Sequence, residues 1–570
     1  MIGRPATEAT RAIREVRDFL LANRTDYDAT IAGFHWPELD EFNFALEWFD
    51  VVAGEHPDRA AVTIVSADLV AQSWSYAELS RRSDQVANWL LGLGVRRGSK
   101  LIVMLNNTIE LWELMLGIYK LGAVAIPTST LLSAADLAYR VDHGEAHAVV
   151  APTALRDRLT ELDDRVLRIG VGPDLPDGWV SIADSEQAST TFVPDGPTPA
   201  GDPSLLYFTS GTTSRPKLVR HTQVSYPVGH LSTMWWLGVQ PGDVHLNISS
   251  PGWGKHAWSN FFAPFLAQAT VFVFNYDRFD AGNLMKVMDA HQVTTFCAPP
   301  TVWRMLIQAD LTQLSHPPRE LLGAGEPLNP EVITKVRRAW GGTIRDGFGQ
   351  TEMTCCIGNG PGQTVKDGSM GRPMPGYPVV LLDPTTGRPR ADEGEICLDL
   401  SQPILGLMDA YHNDPQMTAE ACRDGFYHTG DIASVDADGY LTYVGRADDV
   451  FKASDYKISP FELESILLEH PYVTEVAIVP SPDPLRAAVP KAYVCLVADA
   501  VERQAEAARE IFAHAHTRLS AYQRVRILEF VTELPKTISG KIRRVELRER
   551  EAERVAAEIL DGQYLERDYR

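Results

Sequence analysis

From residue 209 the chain reads TSGTTSRPK. The hydroxyls of Thr209, Ser210, Thr212 and Thr213 surround Gly211, and Lys217 closes the stretch. Exposed backbone N–H groups and hydroxyls in a Gly-containing loop suit phosphate oxygens. Lys217 adds a point charge, and Pro216 stiffens the exit. The spacing is not that of the GxxxxGK[ST] loop, and a polar surface turn is the lesser alternative reading of the stretch on its own. Four more stretches set charges beside glycines: DGFGQTEMT (346–354), HTGDIA (428–433), GRADD (445–449) and PKTISGKIRR (535–544). Each alone is an ordinary exposed turn.

The elements that must carry these stretches follow from the patterning. Residues 6–24 have helical spacing and predict an amphipathic surface helix. From about residue 60, short β-rich runs alternate with helical ones: AAVTIV, SYAELSRRSDQVANWLLGLG, KLIVMLNN, IELWELMLGIYKLG, AVAIPT. Ser75 with Glu78 three residues on is a capping-box start. Such alternation implies a parallel sheet with helices on both faces. A second set runs from ATVFVFN through VTTFCAPP to LLGAGEPLNP. After about 370 the texture changes to short strands with Asp-Gly and Thr-Gly turns, which predict hairpins. Beyond 449, helix and strand patterns return and predict a small α/β domain, with the tail KIRRVELREREAERVAAEIL as a solvated charged helix.

A length of 570 residues exceeds one hydrophobic core. The net charge of −22 and a pI near 5.1 argue against general nucleic-acid binding. The Cys at 297, 355, 356, 397, 422 and 495 form no CxxC pair, so neither a zinc site nor a disulfide framework is indicated. A reduced, cytoplasmic setting is expected. The first residues are charged and lack an apolar signal core. The most apolar stretch, from 111, carries Glu113 and Lys120 and is too interrupted for a membrane span.

In order and content the five stretches resemble the adenylate-forming superfamily: acyl-CoA synthetases, adenylation domains and firefly-type luciferases. The likeness runs from about residue 45 to 550. SPGWGKHAWSNFFAPF (250–265) looks closest to medium-chain and aryl acyl-CoA synthetases. The resemblance implies an α/β fold: a large N-terminal domain (1–447) of doubly wound sheets with a β-barrel-like subdomain, and a small mobile α/β C-terminal lid (448–570), hinged near Asp448. It implies ATP, Mg²⁺ and CoA as partners, and a small carboxylic acid as substrate. Thr209, Ser210, Gly211, Thr212, Thr213 and Lys217 would hold the triphosphate. Gly325, Glu326 and Pro327 would line the adenine. Asp346, Gly347, Phe348, Gly349, Gln350 and Thr351 would contact adenine and α-phosphate, and Glu352 would hold Mg²⁺. Asp431 would accept the ribose hydroxyls, beside Arg446. Lys541 would reach the carboxylate and α-phosphate during adenylation, so Lys541, Thr213 and Glu352 are the expected catalytic residues.

The sequence departs from the family pattern in FKASDYKISPFELES, where Asp455 stands at a position usually occupied by Gly. Ser454, Asp455 and Tyr456 would border the thiol's path, and a side chain there alters a close approach that Gly permits. Lys457, Arg524, Arg543 and Arg544 are candidates for CoA phosphates, or solvated surface charges. Ser214 replaces a frequent Gly. Trp253, His256 and Trp258 would line the acyl pocket, with Trp235, Trp236 and Trp303 as further aromatics, and Lys255 and His256 as readers of a ring substituent or carboxylate. The function expected is an ATP-dependent acid–thiol ligase for an aromatic or medium-chain acid. The alternatives are an adenylating enzyme with another acceptor (a carrier-protein thiol, an amine or a nitrite-type nucleophile) and a non-catalytic nucleotide-binding module.

Overall fold

A computed structural model describes residues 3–209, 216–325, 328, 330–453, 456–483, 486–536, 541–557, 559 and 561–569. By compactness the chain divides into two units, Met1–Val379 with Leu398–Tyr427, and Val380–Cys397 with His428–Arg570.

The first unit holds two large sheets. In one, the strands Val124–Pro127, Lys100–Val103, Ala148–Pro152 and Leu167–Val171 run parallel. The short apolar runs of the first three are buried on both faces, as helix-covered parallel strands require. The strand Pro203–Thr209 joins this set and turns back antiparallel into Lys217–Thr222, which pairs Thr209 with Lys217. The second sheet runs parallel through Ile344–Phe348, Glu320–Ala324, Thr295–Ala298, Val244–Asn247, Thr270–Phe274 and Ala60–Val65, with antiparallel strands at both edges. The helix Tyr76–Gly92 opens on the expected capping box: the Glu78 N–H donates to Ser75 Oγ at 3.2 Å, and the Ser75 N–H donates to Glu78 Oε2 at 2.8 Å. Trp303 is core, packed against Phe296 and Trp340 at 4.9 and 6.0 Å. Several sequence motifs leave the C-terminal ends of sheet strands, where open α/β sheets place ligands. Thr209 ends one strand, Gly325 follows another, and 349–354 follow Ile344–Phe348.

The second unit carries the expected hairpin-rich sheet and the small α/β domain. Phe426–Val435 and Leu441–Arg446 form a hairpin that pairs Asp431 with Arg446, and Glu393–Asp399 lies beside it. Further on, Val473–Asp483, Ala487–Leu496, Ile527–Phe530 and Gln563–Leu565 form a four-stranded sheet with the helices Pro460–Leu468 and Gln504–Arg518. The helix Arg544–Ala556 differs from expectation. It is charged, but it is not simply solvated: Leu547 is 1% exposed and Glu551 is sealed against Lys491, so one face docks on the sheet. No helix among the described residues is long and apolar enough to cross a membrane.

Candidate active site

Lys217 and Glu352 share one aromatic side chain in the first unit. The Lys217 ammonium stands 5.1 Å from the centre of the Tyr411 ring, and the Tyr411 hydroxyl donates to Glu352 Oε1 at 2.9 Å. Burial and the neighbouring Glu352 carboxylate raise the Tyr411 phenol, which keeps it a donor. The segment bearing Glu352 is held by further braces. His221 Nε2 donates to the Thr351 carbonyl at 2.7 Å, and Ser225 Oγ lies 3.2 Å from Nδ1 of the same ring. Burial keeps His221 neutral, down at about 3. The Tyr427 hydroxyl donates to Gln350 Oε1 at 3.0 Å. The Met408 N–H donates to the Glu352 carbonyl at 2.7 Å.

The aromatic stretch reaches the same place. A Cβ on Gly349 would lie 2.4 Å from the Trp258 ring, so Trp258 packs directly on the Gly349 backbone. Trp258 Nε1 donates to the Tyr226 hydroxyl at 2.8 Å, and a Cβ on Gly254 would lie 2.8 Å from that hydroxyl and 3.8 Å from Thr351 Cα. Lys255 Nζ donates to the Ala324 carbonyl at 3.1 Å. Next in the chain, Gly325 takes φ +110, a backbone region that L side chains rarely adopt, and among the described residues nothing lies within 4 Å of where a Cβ would stand. Asp346 is buried, and burial pushes its carboxyl up to about 7 against the stabilising N–H of Gly347 at 2.9 Å. Phe348 is half-buried at the end of its strand, and Trp253 is half-buried just before the helix Gly254–Ala257. Trp235 and Trp236 are fully buried, and Trp236 Nε1 donates to the Asp346 carbonyl at 3.2 Å.

In the second unit Asp431 is a buried carboxylate between two partners. The Tyr443 hydroxyl donates to Oδ1 at 3.1 Å, and Arg446 reaches Oδ2 at 3.4 Å. The corner before it is braced by Glu395, whose two oxygens take the Gly430 N–H and His428 Nδ1, each at 2.9 Å. Cys397 Sγ lies 3.5 Å from the same His428 nitrogen, giving a group of metal-type donors already spanned by hydrogen bonds. Arg446 also meets Asp448 at 3.4 Å. Asp449 takes Arg548 and, at 3.7 Å, Arg544, and Arg544 pairs with Glu464 at 2.6 Å. Arg543 pairs with Glu546 at 2.9 Å, so two of the four basic candidates for CoA phosphates are engaged in ion pairs. Tyr456 is exposed and stacks on Tyr522 at 4.4 Å. Lys541 is exposed and adjoins a bridge between Lys536 and Ile542. Ser210, Gly211, Thr212, Thr213, Ser214, Glu326, Pro327, Ser454 and Asp455 lie outside the described residues.

The family model of the AMP-binding enzymes matches residues 49–412, and that of the AMP-binding enzyme C-terminal domain matches 462–541. The chain belongs to the AMP-binding enzyme family. It is 41% identical over 531 residues to 4-hydroxybutyrate–CoA ligase 1 of Metallosphaera sedula, covering 91% of this chain and 90% of that protein. To the mitochondrial acyl-coenzyme A synthetase ACSM3 of Homo sapiens it is 35% identical over 548 residues, 93% of each chain. Among solved structures, the anthranilate CoA ligase AuaEII in complex with anthranoyl-AMP matches with a TM-score of 0.78 at 28% identity, over 92% of this chain and 99% of that one. Sequence reasoning did not find Tyr411, His221, Tyr427 or Tyr443. Each acts by holding a motif residue, and the first three stand 59, 130 and 77 positions from their partners. Tyr443 is closer in the chain, 12 positions from Asp431, but its odd spacing from Arg446 hides the shared face, which a register shift between Ile432 and Ala433 creates.

Proposed function

We propose that this AMP-binding enzyme is an ATP-dependent acid–CoA ligase for an aromatic or medium-chain carboxylic acid, working through an acyl-adenylate. The reading is carried by one observation: Lys217 and Glu352 converge on Tyr411, while Trp258 packs on Gly349 three positions before Glu352. A cation and a carboxylate suited to a nucleotide's phosphates thus meet at one tyrosine, and an aromatic wall covers the segment that bears the carboxylate. The CoA ligases among its relatives support the same reaction.

In the first half-reaction the acid's carboxylate oxygen attacks the α-phosphorus of ATP, the α–β bridging bond breaks, and pyrophosphate leaves. Two anions must meet, so fixed cations and N–H donors are the main resource. Lys217, with Thr209 and the hydroxyl loop between them, holds the departing phosphates. Lys541 supplies the positive charge at the meeting point of carboxylate and α-phosphate. Asp431, oriented by Arg446 and Tyr443, accepts from the ribose hydroxyls. Asp346 and the backbone around Gly325 border the adenine, where a glycine lets backbone approach a flat ring closely. Glu352 fits a hard cation, offering carboxylate oxygens beside a phosphate-binding lysine, and Mg²⁺ held there would neutralise phosphate charge. In the second half-reaction the CoA thiolate attacks the acyl carbon and AMP leaves. Asp448, in the turn after Leu441–Arg446, is the hinge about which residues 448–570 turn between the steps. Ser454, Asp455 and Tyr456 border the thiol's route.

The test is pyrophosphate release with a panel of aryl and medium-chain acids, repeated with and without CoA, with products weighed by mass spectrometry. The expected result is acid-dependent pyrophosphate release and a CoA thioester. Pyrophosphate release with no thioester would reassign the acceptor. Silence with every acid would reduce the chain to a nucleotide binder.

A further inference from the structure

His256 lies in the helix Gly254–Ala257 and is 5% exposed. Its Nε2 is 2.8 Å from Oδ1 of Asn107. Asn107 directs its amide nitrogen at the Ser249 carbonyl, 3.5 Å away, and the opposite orientation would set two carbonyl oxygens face to face. The amide oxygen therefore faces the imidazole. An amide oxygen only accepts, so Nε2 carries the ring's proton and Nδ1 presents a bare lone pair. Burial keeps the ring neutral, down at about 3, so a second proton does not block that lone pair. Among the described residues no hydrogen bond reaches Nδ1. Nδ1 is not among the buried atoms left without a partner, so it borders open space that a ligand's donor can enter.

The neighbours of His256 set that nitrogen close to the motif residues. Lys255 grips the Ala324 carbonyl ahead of Gly325, Gly254 packs near Thr351, and Trp258 covers Gly349. The imidazole also stands 5.9 Å from the Trp112 ring, so an acceptor is set among apolar walls. Resting on the ligase reading above, we infer that His256 Nδ1 accepts a hydrogen bond from a donor on the tail of the acid. The acids this site selects then carry a hydroxyl or amino group away from the reacting carboxylate. Asn107 is a positioning residue, because it fixes which ring nitrogen is the acceptor. A plain hydrocarbon tail would cover Nδ1 without pairing it. A methyl ether of the same size would bring an acceptor against an acceptor.

The experiment is acid-dependent ATP–pyrophosphate exchange with matched sets of acids, one set built on butanoate and one on benzoate, bearing at each position hydrogen, hydroxyl, amino or methoxy. In one set at least, a hydroxyl or amino member is expected to exceed its hydrogen and methoxy counterparts in kcat/KM by about ten- to a hundredfold, as for a site left with an unpaired buried group. In His256→Phe, which keeps a ring but removes the acceptor, that ratio is expected to collapse to about threefold or less. Equal use of hydroxyl, methoxy and unsubstituted members by the wild-type chain would overturn the inference while leaving the ligase reading intact, and needs no variant to fold. A ratio that survives His256→Phe would overturn it too. No exchange with any acid in either set would overturn both.

Discussion

Lys491→Met tests how the helix Arg544–Ala556, which begins just after Lys541, is kept in place. Lys491 has a side-chain exposure of 0% and meets Glu529 at 2.8 Å and Glu551 in direct contact. Methionine fills the space of the stem but removes the charge. Taking one partner from a buried ion pair costs about 3–5 kcal/mol, mostly by stranding the other charge. Here the stranding is incomplete. Glu529 keeps Arg550 at 2.6 Å, and Glu551 keeps the hydroxyls of Ser481 at 2.7 Å and Tyr493 at 3.1 Å. The cost therefore falls at the low end, about 3 kcal/mol. Amide hydrogen exchange in the intact chain, read by mass spectrometry for peptides covering 487–496 and 544–556, is the assay, because local opening free energies appear there directly. At about 1.4 kcal/mol per factor of ten, the expected rise in exchange is roughly a hundredfold. Adding Glu551→Gln, which keeps the hydroxyl contacts and removes the stranded charge, should restore at least half of the loss. A change below about threefold, or a double variant as labile as the single one, refutes the reasoning and assigns the docking of this helix to Leu547 and its apolar neighbours instead.

Other consequences concern the proposed chemistry and the response to acid. Lys541→Ala should lower acid-dependent pyrophosphate release by about 10²–10³ while leaving ATP binding measured by calorimetry nearly intact; undiminished release would remove Lys541 from the reaction. Asp431→Asn, which turns one acceptor oxygen into a donor and leaves Arg446 its ion pair with Asp448, should raise KM for ATP about tenfold or more with a smaller effect on kcat; an unchanged KM would place the ribose elsewhere. Burial holds His221, His230 and His256 down at about 3 and His245 at about 4, while the unfolded chain protonates them near pH 6.5. Below that pH the unfolded state binds more protons, so stability falls as pH drops from about 6.5 towards 4. Asp346, raised to about 7 by burial, works the other way, since the folded state keeps a proton that the unfolded chain loses near pH 4. Melting temperatures should therefore fall steeply below about pH 6, and Asp346→Asn should make the acid limb steeper still. A flat profile between pH 4 and 6.5 would mean that these histidines take up protons without unfolding.

What the sequence discloses and what it hides divide along a physical line. The capping box of Ser75 and Glu78 is a contact between residues three apart, and the parallel strands announce themselves because burial on both faces demands unbroken apolar runs. The motif loops were legible for a similar reason: glycines and charges packed into a few residues mark where backbone must approach a ligand. The braces around those loops had no such signature. Tyr411 is one tyrosine among 18, and nothing near it in the chain says that its hydroxyl holds Glu352 and its face meets Lys217. The misreading of residues 544–556 has the same origin. A helix with so many charges reads as solvated, and Glu551 is distinguished from its exposed neighbours by partners on distant strands, Lys491 60 positions earlier among them. Long-range pairing of this kind is what converts a family's motifs into a particular enzyme. His256 is the sharpest case, because its ring is disclosed by sequence but its acceptor is not. Which nitrogen is bare depends on Asn107, 149 residues away, and on the carbonyl that orients Asn107 in turn.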